Sequence, residues 1–250
     1  MERAAGSWWP FGAPDPGARA RVVALPFAGG GASIYRGARR VWNQRFDLAP
    51  LQLPGREGRI REAPYARMDA LLDAAAPVLA ASLPAPYALF GASMGALIAY
   101  ELAGRLSALG HPAPSLLVLA ASRAPHRVDR STTIHQLPED DFIEALRAMK
   151  GTPEEVLAHR ELMALVLPTL RADFALCETY RYTPRAPLEC DLLIFGGTAD
   201  PNVPTGELEA WREMTRGACR TRIFTAGHFF LEEEGNAVWS EVARALGALP

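Results

Sequence analysis

Short, mainly apolar segments alternate along this chain with longer segments whose apolar residues recur every three or four positions. A short apolar run predicts a strand that is buried on both faces, whereas the three-to-four spacing predicts a helix with one buried face. Predicted strands lie at 21–25, 46–53, 85–90, 116–120, 192–195 and 220–225. Predicted helices lie at 33–42, 67–83, 96–109, 206–216 and 236–247. This order indicates an α/β fold with a mostly parallel central sheet and helices on both faces.

The segment 124–186 does not follow this alternation. It carries helical patterns at 139–149 and at 153–180, and Pro168 is expected to interrupt the second one. We interpret the segment as a helical insertion over the sheet. Insertions of this kind act as lids that exclude water and shape a pocket, although a plain structural cap is the alternative.

Composition narrows the class of protein. The 250 residues predict a single domain over 1–250, and a net charge of −2 provides no basic field for a nucleic acid. Three scattered cysteines without a CxxC pair predict neither a disulfide framework nor a zinc site. The N-terminus lacks the apolar core of a signal peptide, and no apolar run is long enough to span a membrane, so a cytoplasmic protein is expected.

A candidate nucleophile lies in the segment Gly91-Ala92-Ser93-Met94-Gly95. This segment matches G-x-S-x-G and falls between a predicted strand and a predicted helix, which is the context that a nucleophile elbow requires. A tight turn lifts the serine hydroxyl above the sheet, and the helix N-terminus supplies positive potential. A serine-bearing turn without activity is the alternative.

A nucleophilic serine needs a base, and His228 is the best candidate among the five histidines. It lies between the last predicted strand and the last helix, where this type of fold places its base. His126, just after a strand end, is the only rival. The imidazole also needs a carboxylate to hold its tautomer, and Asp200 follows a buried strand and precedes the histidine. The order Ser93, Asp200, His228 is that of an α/β-hydrolase.

A glycine-rich loop after the first strand is the candidate for oxyanion stabilisation. Acyl transfer needs two N–H donors aimed at the developing negative charge. We expect one from Met94, directly after the nucleophile, and one from Ala28, with Phe27 as the next candidate. The loop has neither the G-K-[ST] ending of a phosphate loop nor dinucleotide spacing. No residue cluster has metal-ligand spacing, and no cofactor is expected.

Five segments together resemble the type II thioesterases, the stand-alone editing enzymes of polyketide and non-ribosomal peptide synthesis. The segments are Leu25-Pro26-Phe27-Ala28-Gly29-Gly30-Gly31-Ala32-Ser33 with Tyr35, Leu53-Pro54-Gly55-Arg56-Glu57, Gly91-Ala92-Ser93-Met94-Gly95-Ala96, Phe195-Gly196-Gly197-Thr198-Ala199-Asp200 and Gly227-His228-Phe229-Phe230-Leu231. The resemblance spans nearly the whole chain. One departure is visible, since the family usually has a histidine where this chain has Ala92.

The resemblance implies a specific activity. Such enzymes hydrolyse acyl thioesters from the phosphopantetheine arm of acyl or peptidyl carrier proteins and so free blocked synthases. It also implies a mobile lid and favours a monomer, while the charge and the lack of a long apolar run predict no nucleic-acid or membrane partner. Arg123, Arg127 and Arg130 could contact an acidic carrier protein, although charge runs are usually only solvated.

Two other functions remain open from the residues alone. One is a small-molecule carboxylesterase on the same fold, and the other is a catalytically silent binding protein. Arg56 and Glu57 have no chemical role in this interpretation; a structural ion pair holding the loop is preferred to a contact near the pocket mouth.

Overall fold

A six-stranded parallel sheet forms the centre of the structure, a computed structural model that describes residues 7–38, 46–128 and 133–248. The strands are β1 (Ala20–Leu25), β2 (Phe46–Pro50), β3 (Tyr87–Ala92), β4 (Leu116–Ala120), β5 (Asp191–Gly197) and β6 (Cys219–Phe224). They lie in the order β2-β1-β3-β4-β5-β6, and every neighbouring pair is parallel. The predicted mostly parallel sheet is confirmed.

Helices connect these strands and follow the last of them. They are α1 (Met68–Ser82), α2 (Met94–Ala108), α3 (Glu139–Met149), α4 (Glu154–Leu157), α5 (Arg160–Thr179), α6 (Phe230–Glu233) and α7 (Gly235–Gly247). Short 3-10 helices lie at Ala32–Tyr35, Glu57–Arg59, Pro125–Arg127 and Thr205–Met214. Within the described ranges, no helix is long and apolar enough to cross a bilayer.

The core is divided into two layers by the sheet, because successive side chains of a strand point to opposite faces. Val23 and Leu25 of β1 belong to the layer that α1 and α2 cover. Val22 and Ala24 belong to the opposite layer, where Trp239 of α7 packs. Helices therefore cover both faces, as the uniformly apolar strands predict.

One predicted strand is shorter in the structure, and one predicted helix is described only in part. The predicted strand 46–53 ends at Pro50, although Leu51 and Leu53 beyond it are buried. Their burial in a loop explains why an apolar pattern overestimates the strand. The predicted helix 33–42 begins with a 3-10 helix at Ala32–Tyr35 and is helical again at Ala38, while residues 39–42 lie outside the described ranges.

The expected interruption at Pro168 is wrong, because α5 runs through that proline from Arg160 to Thr179. A proline within a helix removes one hydrogen bond, and the buried residues beside it offset this loss. The break lies earlier, at His159, whose Nδ1 accepts a hydrogen bond from the Leu162 N–H at 3.3 Å. The helices of this region share an apolar cluster of Ile134, Phe142, Leu146, Leu157, Met163, Leu167 and Leu170.

Candidate active site

Ser93 occupies the junction between β3 and α2. Its backbone has φ 51° and ψ −115°, a conformation that costs free energy for a residue with a side chain. The Ser93 N–H donates to the carbonyl oxygen of Ala120 at the end of β4, at 2.8 Å. The adjacent strand thus helps to hold the strained turn, with the serine at the carboxyl edge of the sheet.

The two glycines of G-x-S-x-G permit the close approach of strand and helix. A Cβ atom on Gly91 would lie 2.0 Å from the carbonyl oxygen of Gly95. A Cβ atom on Gly95 would lie 2.2 Å from the carbonyl oxygen of Leu25. Because all these neighbours are backbone atoms that cannot rotate away, only glycine fits at either position.

The structure brings His228 and Asp200 to Ser93 from the ends of two other strands. The His228 Nε2 atom lies 3.1 Å from the Ser93 Oγ atom, and its Nδ1 atom lies 2.7 Å from Asp200 Oδ2. These contacts join residues that follow β3, β5 and β6. The arrangement allows the imidazole to accept the serine proton while the carboxylate holds the opposite ring nitrogen.

Asp200 is held in its ionised form. Its side chain is fully buried, and Oδ1 accepts hydrogen bonds from the N–H groups of Asn202 at 2.8 Å and Val203 at 3.1 Å. Burial by itself raises the pKa of Asp200, but the hydrogen bond and charge of His228 and the two amides bring that pKa below its ordinary value. The carboxylate is therefore suited to stabilising an imidazolium.

The remaining histidines have other partners. His126, the rival base, has its Nε2 atom 3.5 Å from Glu213 Oε2, and its ring lies against Tyr182. His135 pairs with Glu178, His159 caps α5, and the ring of His111 lies against Tyr87.

The glycine-rich loop lies beside Ser93. Phe27, Ala28 and Met94 line the same cavity as Ser93 and His228. The Phe27 carbonyl accepts a hydrogen bond from the Gly30 N–H at 3.0 Å, and the Phe27 ring packs edge-on against Phe229 with centroids 5.6 Å apart. The loop thus turns tightly next to the nucleophile.

This loop is attached to the segment that contains Arg56 and Glu57. Arg56 does not pair with Glu57. It pairs with Asp173 of α5, with Nη2 and Oδ1 2.7 Å apart, while Glu57 accepts hydrogen bonds from the N–H and hydroxyl of Ser33. Asp173 was missed by the sequence analysis. The sequence feature that could have identified Asp173 is an acidic residue on the helix face that also carries the buried Leu170 and Leu176.

The cavity next to Ser93 has a volume of about 310 Å³. Seven apolar or weakly polar side chains of α2 and the 124–186 segment line it, namely Leu97, Val128, Leu146, Met149, Leu170, Phe174 and Cys177. Glu178 also lines it, but its carboxylate is occupied by His135 and the N–H of Ile134. Such a wall fits an acyl chain better than a charged group.

Charged and metal-binding groups near the site are few. Arg123 lines the cavity and pairs with Glu207, and Arg127 lies 4.0 Å from Glu213, while Arg130 lies outside the described residues. In the part of the chain that the structure describes, no group of three or more His, Cys, Asp or Glu side chains could hold a metal ion.

Comparison with known proteins gives consistent matches. The family model described as "Thioesterase domain" matches residues 20–248. Gramicidin S biosynthesis protein GrsT of Aneurinibacillus migulanus is 36% identical, over 90% of this chain and 88% of its own length. Thioesterase PikA5 of Streptomyces venezuelae is 34% identical, over 92% of this chain and 82% of its own.

A solved structure agrees with these sequence matches. The type II thioesterase BorB from the borrelidin biosynthetic cluster superimposes with a TM-score of 0.86 at 36% identity. The match covers 94% of this chain and 95% of the BorB chain. The α/β-hydrolase architecture predicted from the motifs is thereby confirmed.

Proposed function

The chain belongs to the thioesterase family, among the type II thioesterases, and we propose that it removes acyl groups from the phosphopantetheine arms of carrier proteins. These carriers would be acyl or peptidyl carrier domains of polyketide or non-ribosomal peptide synthases. The observation that carries the proposal is the hydrogen-bonded set of Ser93, His228 and Asp200, of which Ser93 and His228 line a mainly apolar cavity.

The first half of the reaction transfers the acyl group to Ser93. His228 Nε2 accepts the hydroxyl proton as Oγ attacks the thioester carbonyl carbon. The N–H groups of Met94 and Ala28 stabilise the negative charge on the carbonyl oxygen, and Asp200 stabilises the imidazolium. The C–S bond then breaks, and the phosphopantetheine thiol leaves with the proton from His228.

The second half of the reaction regenerates the serine. A water molecule gives one proton to His228 and attacks the acyl-enzyme carbonyl, so that a carboxylic acid is released and Ser93 recovers its proton. Because a thiol leaves more readily than an amine, catalysis depends mainly on the nucleophile and the oxyanion donors.

The cavity and the insertion support an acyl substrate. The 124–186 segment contributes Leu146, Leu170 and Phe174 to the cavity wall, which makes it suited to act as a lid over the acyl chain. An apolar wall of this kind excludes water from the reacting carbonyl and favours aliphatic acyl groups over charged ones.

The test is acyl release from a phosphopantetheinylated carrier protein, followed by mass spectrometry. We expect release by the wild type and loss of release in Ser93→Ala. Ser107→Ala changes an exposed serine on α2, the helix that follows Ser93. It is the matched control and is expected to retain full activity. Release by Ser93→Ala at the wild-type rate, or cleavage of small oxygen esters only, would contradict the proposal.

A further inference from the structure

We propose that Arg56 and Asp173 are positioning residues that hold the glycine-rich loop so that the Ala28 N–H points at the oxyanion. Neither side chain is hydrogen-bonded or ion-paired to Ser93 or His228. The inference rests on the proposed role of Ala28 as an oxyanion donor, and it assigns a purpose to a buried ion pair that the triad chemistry does not use.

The ion pair binds the loop at two backbone groups, which flank the peptide group between Gly29 and Gly30. Asp173 Oδ2 accepts hydrogen bonds from the Gly29 N–H at 2.7 Å and from Arg56 Nη1 at 2.8 Å. The same Arg56 Nη1 donates to the Gly30 carbonyl oxygen at 3.0 Å. The residues directly after Ala28 are therefore fixed by two charge-assisted hydrogen bonds.

A run of three glycines needs such external ties. Glycine has more backbone freedom than any other residue, so Gly29, Gly30 and Gly31 would otherwise sample many conformations. An oxyanion donor is effective only when it is fixed before the charge develops. The ties to Gly29 and Gly30 restrict the chain where that freedom is greatest.

The burial of Arg56 and Asp173 indicates that their ion pair has a specific role. The side chains of Arg56 and Asp173 are only 6% and 2% exposed. Withdrawing two charges from water is costly, and an apolar pair of similar volume is often at least as stable. A buried pair that bonds directly to the loop beside the nucleophile therefore fits a role in positioning that loop.

The helix α5 links this loop to the 124–186 segment. Asp173 lies on α5, and Thr169 of the same helix donates a hydrogen bond to the Gly55 carbonyl oxygen. A Cβ atom on Gly29 would lie 2.7 Å from Cδ2 of Leu170, so the helix also packs closely on the loop. The position of α5 and the direction of the oxyanion donor are therefore coupled.

The experiment compares wild type with Asp173→Asn and with the double variant Arg56→Met/Asp173→Leu. The double variant leaves no buried charge and is designed to fold even if the single one does not. On a small acyl thioester, we expect kcat to fall by about tenfold to a hundredfold with KM nearly unchanged, since a displacement of about 1 Å can cost about 10²-fold. Affinity for an alkylboronic acid, which forms a tetrahedral adduct with Ser93, should fall by a similar factor.

Asp73→Asn is the control, because it removes an ion pair of Asp73 with Arg105 that joins α1 to α2. Thermal unfolding of each variant measures the structural cost separately. If a folded variant of the Arg56–Asp173 pair loses no more kcat or boronic acid affinity than Asp73→Asn, the proposal is wrong.

This outcome is separable from failure of the proposed function. Boronic acid binding needs only Ser93 and the oxyanion donors, so it is measured without any carrier protein. A wild type that binds the boronic acid but releases nothing from a carrier would refute the carrier substrate, while the variant series would still decide the role of Arg56 and Asp173.

Discussion

Among single residues, Asp200 has the most constrained surroundings of the three proposed catalytic groups. One oxygen is bound to His228 and the other to two backbone N–H groups. Every one of these partners favours the carboxylate over the neutral acid. The same contacts that orient the histidine therefore also couple this residue to the stability of the fold.

Replacing Asp200 with asparagine should remove most of the activity with little change in shape. The amide favours the wrong histidine tautomer, and in comparable triads this lowers kcat by about 10⁴-fold. Steady-state hydrolysis of a small acyl thioester measures the effect. Asp69→Asn, at an exposed position, is the control, and a loss of less than about tenfold at Asp200 would argue against its proposed role.

The same variant should change the response of stability to acid. The pKa of Asp200 is lower in the folded than in the unfolded state, where it is about 3.9. Its ionised form therefore stabilises the fold above that pH, and this contribution is lost as the pH falls through the lower folded pKa. Urea unfolding should show a wild-type advantage over Asp200→Asn that is constant above about pH 5 and shrinks below about pH 4. If the difference in unfolding free energy between wild type and Asp200→Asn is the same at neutral and at acidic pH, the expectation is wrong.

Sequence reasoning reaches some residues of the site and not others. Ser93, Asp200 and His228 could be chosen because each follows a strand end in the order that this fold requires. Asp173 could not, because its role depends on how α5 packs against a loop more than 140 residues away, at Gly29. A long-range contact of this kind leaves only an acidic residue within an apolar helix face as its signal.

At the scale of secondary structure, the β3–α2 junction has no room for a side chain at its glycines. Gly95→Ala should lower the free energy of unfolding by at least about 2 kcal/mol, because the new methyl group meets the backbone of Leu25. Activity should also fall, since the turn that carries Ser93 must shift. Urea denaturation and ester hydrolysis measure the two effects.

Gly206→Ala provides the comparison for this prediction. A Cβ atom on Gly206 has no atom within 4 Å, and its backbone is not left-handed. That variant should remain within about 0.5 kcal/mol of the wild type. If the two alanine variants are equally stable, steric exclusion does not explain the glycine at position 95.

Periodicity predicts elements well where burial and secondary structure coincide. The strand 116–120 and the helix 139–149 have the predicted bounds. Leu51 and Leu53 mislead because they are buried without belonging to a strand, and Pro168 misleads because tertiary packing outweighs one lost hydrogen bond. The spacing of apolar residues along the chain indicates which residues are buried, and it indicates the backbone conformation only indirectly.

At the scale of the whole molecule, the 124–186 segment carries an apolar cluster of its own, separate from the two layers on the sheet. If this segment opens as a lid, Phe142→Ala should loosen it locally. Phe142 is fully buried within that cluster. Hydrogen exchange should then accelerate in the segment while the strands stay protected, and KM for an acyl thioester should rise.

Phe90→Ala is the matched substitution in the main core, where the Phe90 ring packs at a tilt against Trp239 with centroids 4.6 Å apart. It should destabilise the whole protein by about 3–5 kcal/mol and accelerate exchange throughout. Equal and uniform acceleration in both variants would mean that the insertion is a fixed part of the main fold.

The separation of the three proposed catalytic residues along the chain has a consequence for biosynthesis. Ser93 and His228 are 135 residues apart, and they meet only when β3, β4, β5 and β6 lie side by side. Contacts between such distant residues are expected to form late in folding, because closing a long loop costs chain entropy before the contact can stabilise it. A nascent chain that has not yet released β6 therefore holds Ser93 without its base, and we expect hydrolysis only after β6 has docked beside β5.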